Sequence, residues 1–349
     1  VSDLVTRLRA ALVAASHPSA VMTLEPLPDK GLAHHHVRLK GSGLLARIPK
    51  QSQMGLSALH NLAYQRVCFE RAVPGGHTPA LHACLPPCEH LPRGALLVEE
   101  IVGRTARLPE DLAAVAKALA SLHALALPDV SARAPLLVTP DPLLALCQEI
   151  AAQASHLPQA RVAPEVAQAI GQSLAELKAL CAMPQRPAPR FIAFDGHPGN
   201  FIVRADGRAV LVDLEKCRYS YPGLDLAHAT LYTSTTWDLD SYAVLSPGEV
   251  LAFYRAWAVA AGSAAEGAIA WHGALRRAMW LWSVTWCAKW RVLSGNAPDR
   301  HASGEDWSVG RSEAALVSHV RERVDHYLSR TLVRQLLDEF EAFDLAMRT

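Results

Sequence analysis

One stretch constrains this chain more than any other. FIAFDGHPGNFIVR occupies residues 191–204, and VDLEK follows at 212–216. Two β-like runs, FIVR and AVLVDL, flank Ala205-Asp206-Gly207-Arg208, and Asp-Gly is a strong hairpin-turn signal. A hairpin returns Asp213 towards Asn200 and leaves Asp195 in the loop before the first strand. Glu215 lies two residues beyond Asp213 and shares its direction if the chain stays extended. Asn and Asp offer oxygen ligands to a hard cation such as Mg2+. A separate Asp can orient a hydroxyl and take its proton. Singly, these residues are ordinary turn chemistry. As a set between apolar flanks they point to a site.

The rest of the chain has the composition of a folded protein. It has 349 residues, 50% hydrophobic and 19% charged, enough for a large core. A formal charge of +1 gives no electrostatic case for nucleic acid. No 18-residue apolar run suggests a membrane span, and VSDLVTRLRAALVAA reads as an amphipathic helix, not a signal peptide. Seven scattered cysteines suggest free thiols in a reducing compartment, the cytoplasm. His82, Cys84, Cys88 and His90 are read as loop residues and not as a zinc site. In a strand, His35 points away from His34 and His36.

The organisation changes near residue 102. Strands are expected in AVMTLEPL, HHHVRL, GLLARIP and ALLVEEIVG, with one helix over 56–72. Beyond Leu108, helices are expected at PEDLAAVAKALASLHAL and over 142–154, 164–182, 248–262, 270–292 and 311–346. The expected fold class is α+β with two lobes: a small mixed N-terminal lobe, 1–102, and a large, mainly helical C-terminal lobe, 103–349. Residues 128–141 and 293–308 read as loosely packed.

FDGHPGNFIV followed by LVDLEK resembles the phosphotransfer core of the aminoglycoside phosphotransferase and choline/ethanolamine kinase superfamily, which has a protein-kinase-like fold. The resemblance implies that Asp195 is the catalytic aspartate and that Asn200 and Asp213 hold nucleotide-bound Mg2+. Glu215 would face metal or substrate, and Asp225, in PGLDLA, would brace the catalytic loop. His197 matches a histidine common at this point, with a packing or phosphate-side role. The chain departs from the family pattern at Ala193, where a histidine usually stands, and at Phe194, where glycine is usual. On the nucleotide side, Arg47 matches the cation that meets the α/β phosphates, with Lys50 as fallback. Backbone around Glu99, Glu100 and Ile101 would meet adenine. The helix glutamate that normally pairs with the cation is missing, and Asn61 or Gln65 stand nearest.

Trp282, Trp286 and Trp290 form one helical stripe, and Trp280 points elsewhere. The stripe suits a core seam or an aromatic wall for a cationic substrate. LWSVTWCAK resembles the Trp-bearing helix of choline kinases, which implicates Trp282, with Trp286 sharing or replacing its role. The expected reaction is ATP-dependent phosphorylation of a hydroxyl on a small molecule: choline, ethanolamine or a similar amino alcohol. One alternative is an aminoglycoside or sugar acceptor, for which Asp238, Asp240 and Glu249 are available. The other is a nucleotide-binding pseudokinase without turnover.

Overall fold

The computed structural model describes residues 2–29, 31–297 and 305–347. It divides into two compact units, 1–73 with 78–102 and 293–320, and 74–77 with 103–292 and 321–349.

The first unit is an antiparallel five-stranded sheet of order β1-β2-β3-β5-β4. Its strands are β1 (Leu24–Pro26), β2 (His34–Leu39), β3 (Leu44–Pro49), β4 (Leu81–Leu85) and β5 (Ala95–Glu99). Alternation sends Val37, Leu39, Ala46 and Ile48 into one cluster with Leu8 and Leu12 of helix α1 (Ser2–Ala14). Each buried Val, Leu or Ile of this cluster contributes about 1.5–3 kcal/mol. Helix α2 (Ala58–Ala72) is capped by Ser57, whose side chain accepts from the His60 amide. The expected strand at 20–27 shortens to β1, because Pro18–Val21 forms a 3-10 turn. LHACL, read as loop, is the edge strand β4, with Cys84 exposed. No disulfide joins any of the seven cysteines. His35 bonds Asp29 while His34 bonds Gln65, as strand alternation requires.

The second unit is mainly helical: α3 (Leu112–His123), α4 (Pro142–Ala154), α5 (Pro164–Ala182), α6 (Pro222–Thr230), α7 (Tyr232–Thr235), α8 (Pro247–Ala261) and α9 (His272–Leu293). The expected helix over 311–346 is two helices, α10 (Ala314–Tyr327), whose residues 314–320 belong to the first unit, and α11 (Arg330–Ala346). Ser329 makes the break by capping the Leu332 amide. Of the stretch 293–308, residues 298–304 lie outside the described residues. Among the described residues no helix is long and apolar enough to cross a membrane. The small mixed lobe followed by a large helical one is a two-lobed, kinase-like fold.

Two short ribbons interrupt the helices. One pairs β7 (Arg190–Ile192) with β10 (Arg218–Ser220). The other is β6 (Arg104–Thr105) beside the hairpin β8 (Phe201–Val203) and β9 (Ala209–Leu211). The expected hairpin is present, and Gly207 supplies the left-handed turn conformation at φ +80°. Loops 193–200 and 212–217 therefore leave one ribbon and enter the other together.

Candidate active site

The loop 193–200 is fixed from below by Asp225 on α6. Its Oδ2 accepts from the Ala193 amide at 2.8 Å and its Oδ1 from the Phe194 amide at 2.7 Å. Asp225 also meets His123 Nε2 at 3.0 Å. The indole N–H of Trp257 donates to His123 Nδ1 at 2.9 Å. An indole nitrogen only donates, so His123 carries its proton on Nε2 and gives it to Asp225. Phe194 adopts a left-handed backbone, φ +62°, that aims Asp195 away from this brace. Gly199 fits closely, since a Cβ there would stand 2.6 Å from Asp238 Oδ2 and 2.9 Å from His197 Cε1, so one of these side chains would have to shift.

Asp195 is 8% exposed, and its Oδ2 lies 2.8 Å from the Lys216 ammonium. Burial is the strongest influence on this carboxyl and pushes it up. Lys216, helped by the neighbouring histidines, outweighs burial and holds the carboxyl below the ordinary aspartate value. Burial likewise pushes the Lys216 ammonium down, while Asp195 and then Glu215 carry it above its ordinary value. His228 Nδ1 stands 3.7 Å from Asp195 Oδ1, and burial pushes this imidazole down to about 4. It is therefore neutral at neutral pH. The His197 ring centroid is 6.0 Å from that of His228.

Asn200 closes a 3-10 turn, and its Nδ2 donates to the Asp195 carbonyl at 2.9 Å. That bond turns the amide oxygen the other way. Val212 N donates to Asn200 O at 2.9 Å, so the hairpin register brings Asp213 beside Asn200. Glu215 follows, buried. An outward amide oxygen next to a carboxylate is a donor set that fits a hard divalent cation.

Trp282 is 7% exposed and is enclosed by protein. Its N–H donates to Glu149 Oε1 at 2.7 Å, and Arg218 donates to Glu149 Oε2 at 2.9 Å. Phe194 meets the indole edge-on at 5.3 Å between centroids, and Lys216 Nζ stands 5.3 Å from its centroid. Arg218 covers Phe194 at 3.6 Å. Trp286 instead packs on Trp237 at 5.7 Å, and Trp280 on Phe340.

In the first unit, Arg47 on β3 is buried, with its guanidinium 5.7 Å from the Phe69 ring. Its Nη2 is 3.5 Å from His34 Nδ1, and His34 Nε2 is 3.0 Å from Gln65 Oε1. Gln65 thus reaches Arg47 through a histidine, where a direct glutamate was missing. Lys50 is committed elsewhere: its Nζ bonds Asp29 Oδ2 at 2.6 Å and the Gly31 carbonyl at 3.0 Å. The Glu99 carboxylate accepts from the Ala80 amide, and that of Glu100 from Arg38. Ile101 is buried just beyond β5.

The sequence reading missed Lys216, Arg218, Glu149, His228 and the bracing role of His123. His228 had a signal, three residues after Asp225 on one helix face. Glu149, a lone acid on an apolar helix, had none.

Several solved structures share this fold. A choline/ethanolamine kinase family protein from Mesorhizobium loti is 17% identical, with a TM-score of 0.57 over 95% of this chain and 99% of that one. Choline kinase from Cryptosporidium parvum is 13% identical, with a TM-score of 0.57 over 99% of each chain. The ADP-bound aminoglycoside phosphotransferase APH(2'')-Ib is 14% identical, with a TM-score of 0.52 over 90% of this chain and 96% of that one. No curated protein matches the chain. The phosphotransferase enzyme family matches residues 59–272, a span that holds the loop, the hairpin and the Asp225 brace. With more than half its length matched, this chain belongs to that family, and it shares its fold with the aminoglycoside and choline/ethanolamine kinase structures above.

Proposed function

We propose that this protein transfers the γ-phosphoryl group of ATP to a hydroxyl of a small molecule. The observation that carries this reading is Asp195: a buried carboxylate kept ionised by Lys216, on a loop braced from α6. Asp195 would accept a hydrogen bond from the acceptor hydroxyl, orient its oxygen and receive its proton as the new ester bond forms. His228 is neutral and buried beside Asp195, which helps keep water from the carboxylate. Asn200 and Asp213 would hold Mg2+, which when bound offsets phosphate charge. Glu215 and His197 stand around the same loop and would face metal or substrate. Arg47, not Lys50, is assigned to the nucleotide phosphates, because the three donors of the Lys50 ammonium are taken by Asp29, the Gly31 carbonyl and Ser312. Backbone at Glu99 to Ile101 remains the proposed adenine edge.

The acceptor class is narrower than the family. A choline-like acceptor needs an open indole, and the ring of Trp282 is enclosed. A polycationic antibiotic needs grouped carboxylates, and Glu249 is consumed in the capping box of α8. The test is ADP formation with Mg2+ across amino alcohols, sugars and aminoglycosides, beside Asp195→Asn. Acceptor-stimulated turnover should fall about 10²–10⁴-fold in the variant. Turnover unchanged by that substitution would end this assignment, and nucleotide binding with no turnover would indicate a pseudokinase.

A further inference from the structure

Resting on the phosphotransfer reading, we infer that Lys216 sets the acceptor class. It occupies the seat on Trp282 that an ammonium substrate would need, so the group beside the reacting hydroxyl is an uncharged or anionic oxygen. Three observations carry this. The Lys216 ammonium stands 5.3 Å from the Trp282 centroid and 2.8 Å from Asp195, so a protein cation already satisfies both. The indole is crowded on its other sides: Phe194 and His228 abut it, its N–H is bound to Glu149, and only 7% of the residue is exposed. Asp195 is paired with Lys216 and Glu149 with Arg218, His228 is neutral, and Glu215 and Asp213 also act on the Lys216 ammonium. A second cation beside Asp195 would meet repulsion from Lys216.

The same ammonium favours oxygen. Its one hydrogen-bond partner among the described residues is Asp195 Oδ2, and an ammonium has three N–H donors. Two donors are left to meet a hydroxyl, carboxylate or phosphate oxygen next to the hydroxyl held by Asp195. Polyols and hydroxy acids have that chemistry, whereas choline does not.

The test uses the whole chain with Mg-ADP bound and choline as the probe, by isothermal titration. Wild type should show no saturable choline binding. Lys216→Met, which vacates the indole face, should bind choline at least about ten-fold more tightly. Lys216→Arg should behave as wild type. Saturable choline binding by wild type, or no gain in a folded Lys216→Met, overturns the inference. A second arm needs no variant: wild-type kcat/KM for glycerol and glycerate should exceed that for choline and ethanolamine, and the reverse order overturns the inference. Glycerol against glycerate separates the uncharged from the anionic partner. If no compound is phosphorylated, the phosphotransfer reading fails, and the choline titration still decides the role of Lys216.

Discussion

His123 Nε2 stands 3.0 Å from Asp225 Oδ2, and neither side chain meets solvent. The family's loop histidine is absent at Ala193, yet an imidazole still serves the loop 193–200. It comes from the end of α3 and acts through Asp225 on the amides of Ala193 and Phe194. Trp257 selects its tautomer. Trp257→Phe leaves His123 Nδ1 buried without a donor, a loss of about 1–3 kcal/mol. Asp225→Ala removes the acceptor of two buried amides as well and should cost more. Urea unfolding measures both, and an unchanged midpoint in Trp257→Phe would remove the brace from this account.

Phe194 departs from the usual glycine without leaving the conformation glycine favours. Its φ of +62° is strained for any L side chain, by about 1–2 kcal/mol. Arg218 over its face and Trp282 against its edge offset that cost. The usual preference for Ala over Gly should therefore reverse here. Phe194→Ala loses the ring and keeps the strain, while Phe194→Gly loses only the ring. Both fall below wild type, and the glycine variant should be the more stable by about 1 kcal/mol. Equal stability of the two variants would mean the left-handed backbone is not retained.

What could be read from the sequence was local. Asp206-Gly207 announces the hairpin, and the hairpin register alone brings Asp213 to Asn200. Strand alternation separates His35 from His34 for the same reason. The pairing of β7 with β10 was not readable, because strands of three residues carry too little pattern and their partners are remote in sequence. The gap between α10 and α11 was hidden by an apolar period that runs through Ser329. Lys216 stood in plain view in VDLEK. A lysine beside acids reads as solvated, and only the convergence of the 212–217 loop with α9 buries it against Trp282. Glu149 reaches that cluster from α4, a convergence no spacing encodes.

Arg47 and Lys50, three residues apart, should separate cleanly by experiment. The Lys50 side chain is 1% exposed and that of Asp29 7%. Lys50→Met leaves a buried carboxylate with His35 as its remaining partner, a loss of up to about 3–5 kcal/mol. The KM for ATP should hardly change. Arg47→Lys keeps the charge but loses the planar fork, so the KM for ATP should rise with a smaller change in unfolding midpoint. The opposite pattern, with Lys50→Met raising KM at full stability, would return the nucleotide role to Lys50.

Acid should weaken the second unit through His272. This residue opens α9 with its ring 4.8 Å from Tyr254 and 5.7 Å from Trp257. Burial alone pushes its imidazole from 6.5 down to about 4. The folded chain therefore takes up this proton less readily than the unfolded chain. The stability involved is fully present above 6.5 and is lost as pH falls towards 4. For one such histidine the loss between about pH 7 and about pH 5 is about 2 kcal/mol. His228, also pushed down to about 4, adds a loss of the same sign. His272→Phe keeps the ring packing and removes the titration. Urea unfolding at both pH values should show wild type losing about 2 kcal/mol more than the variant. Equal losses would mean that His272 gains its proton without unfolding cost, and that its burial is less complete than its 1% exposure indicates.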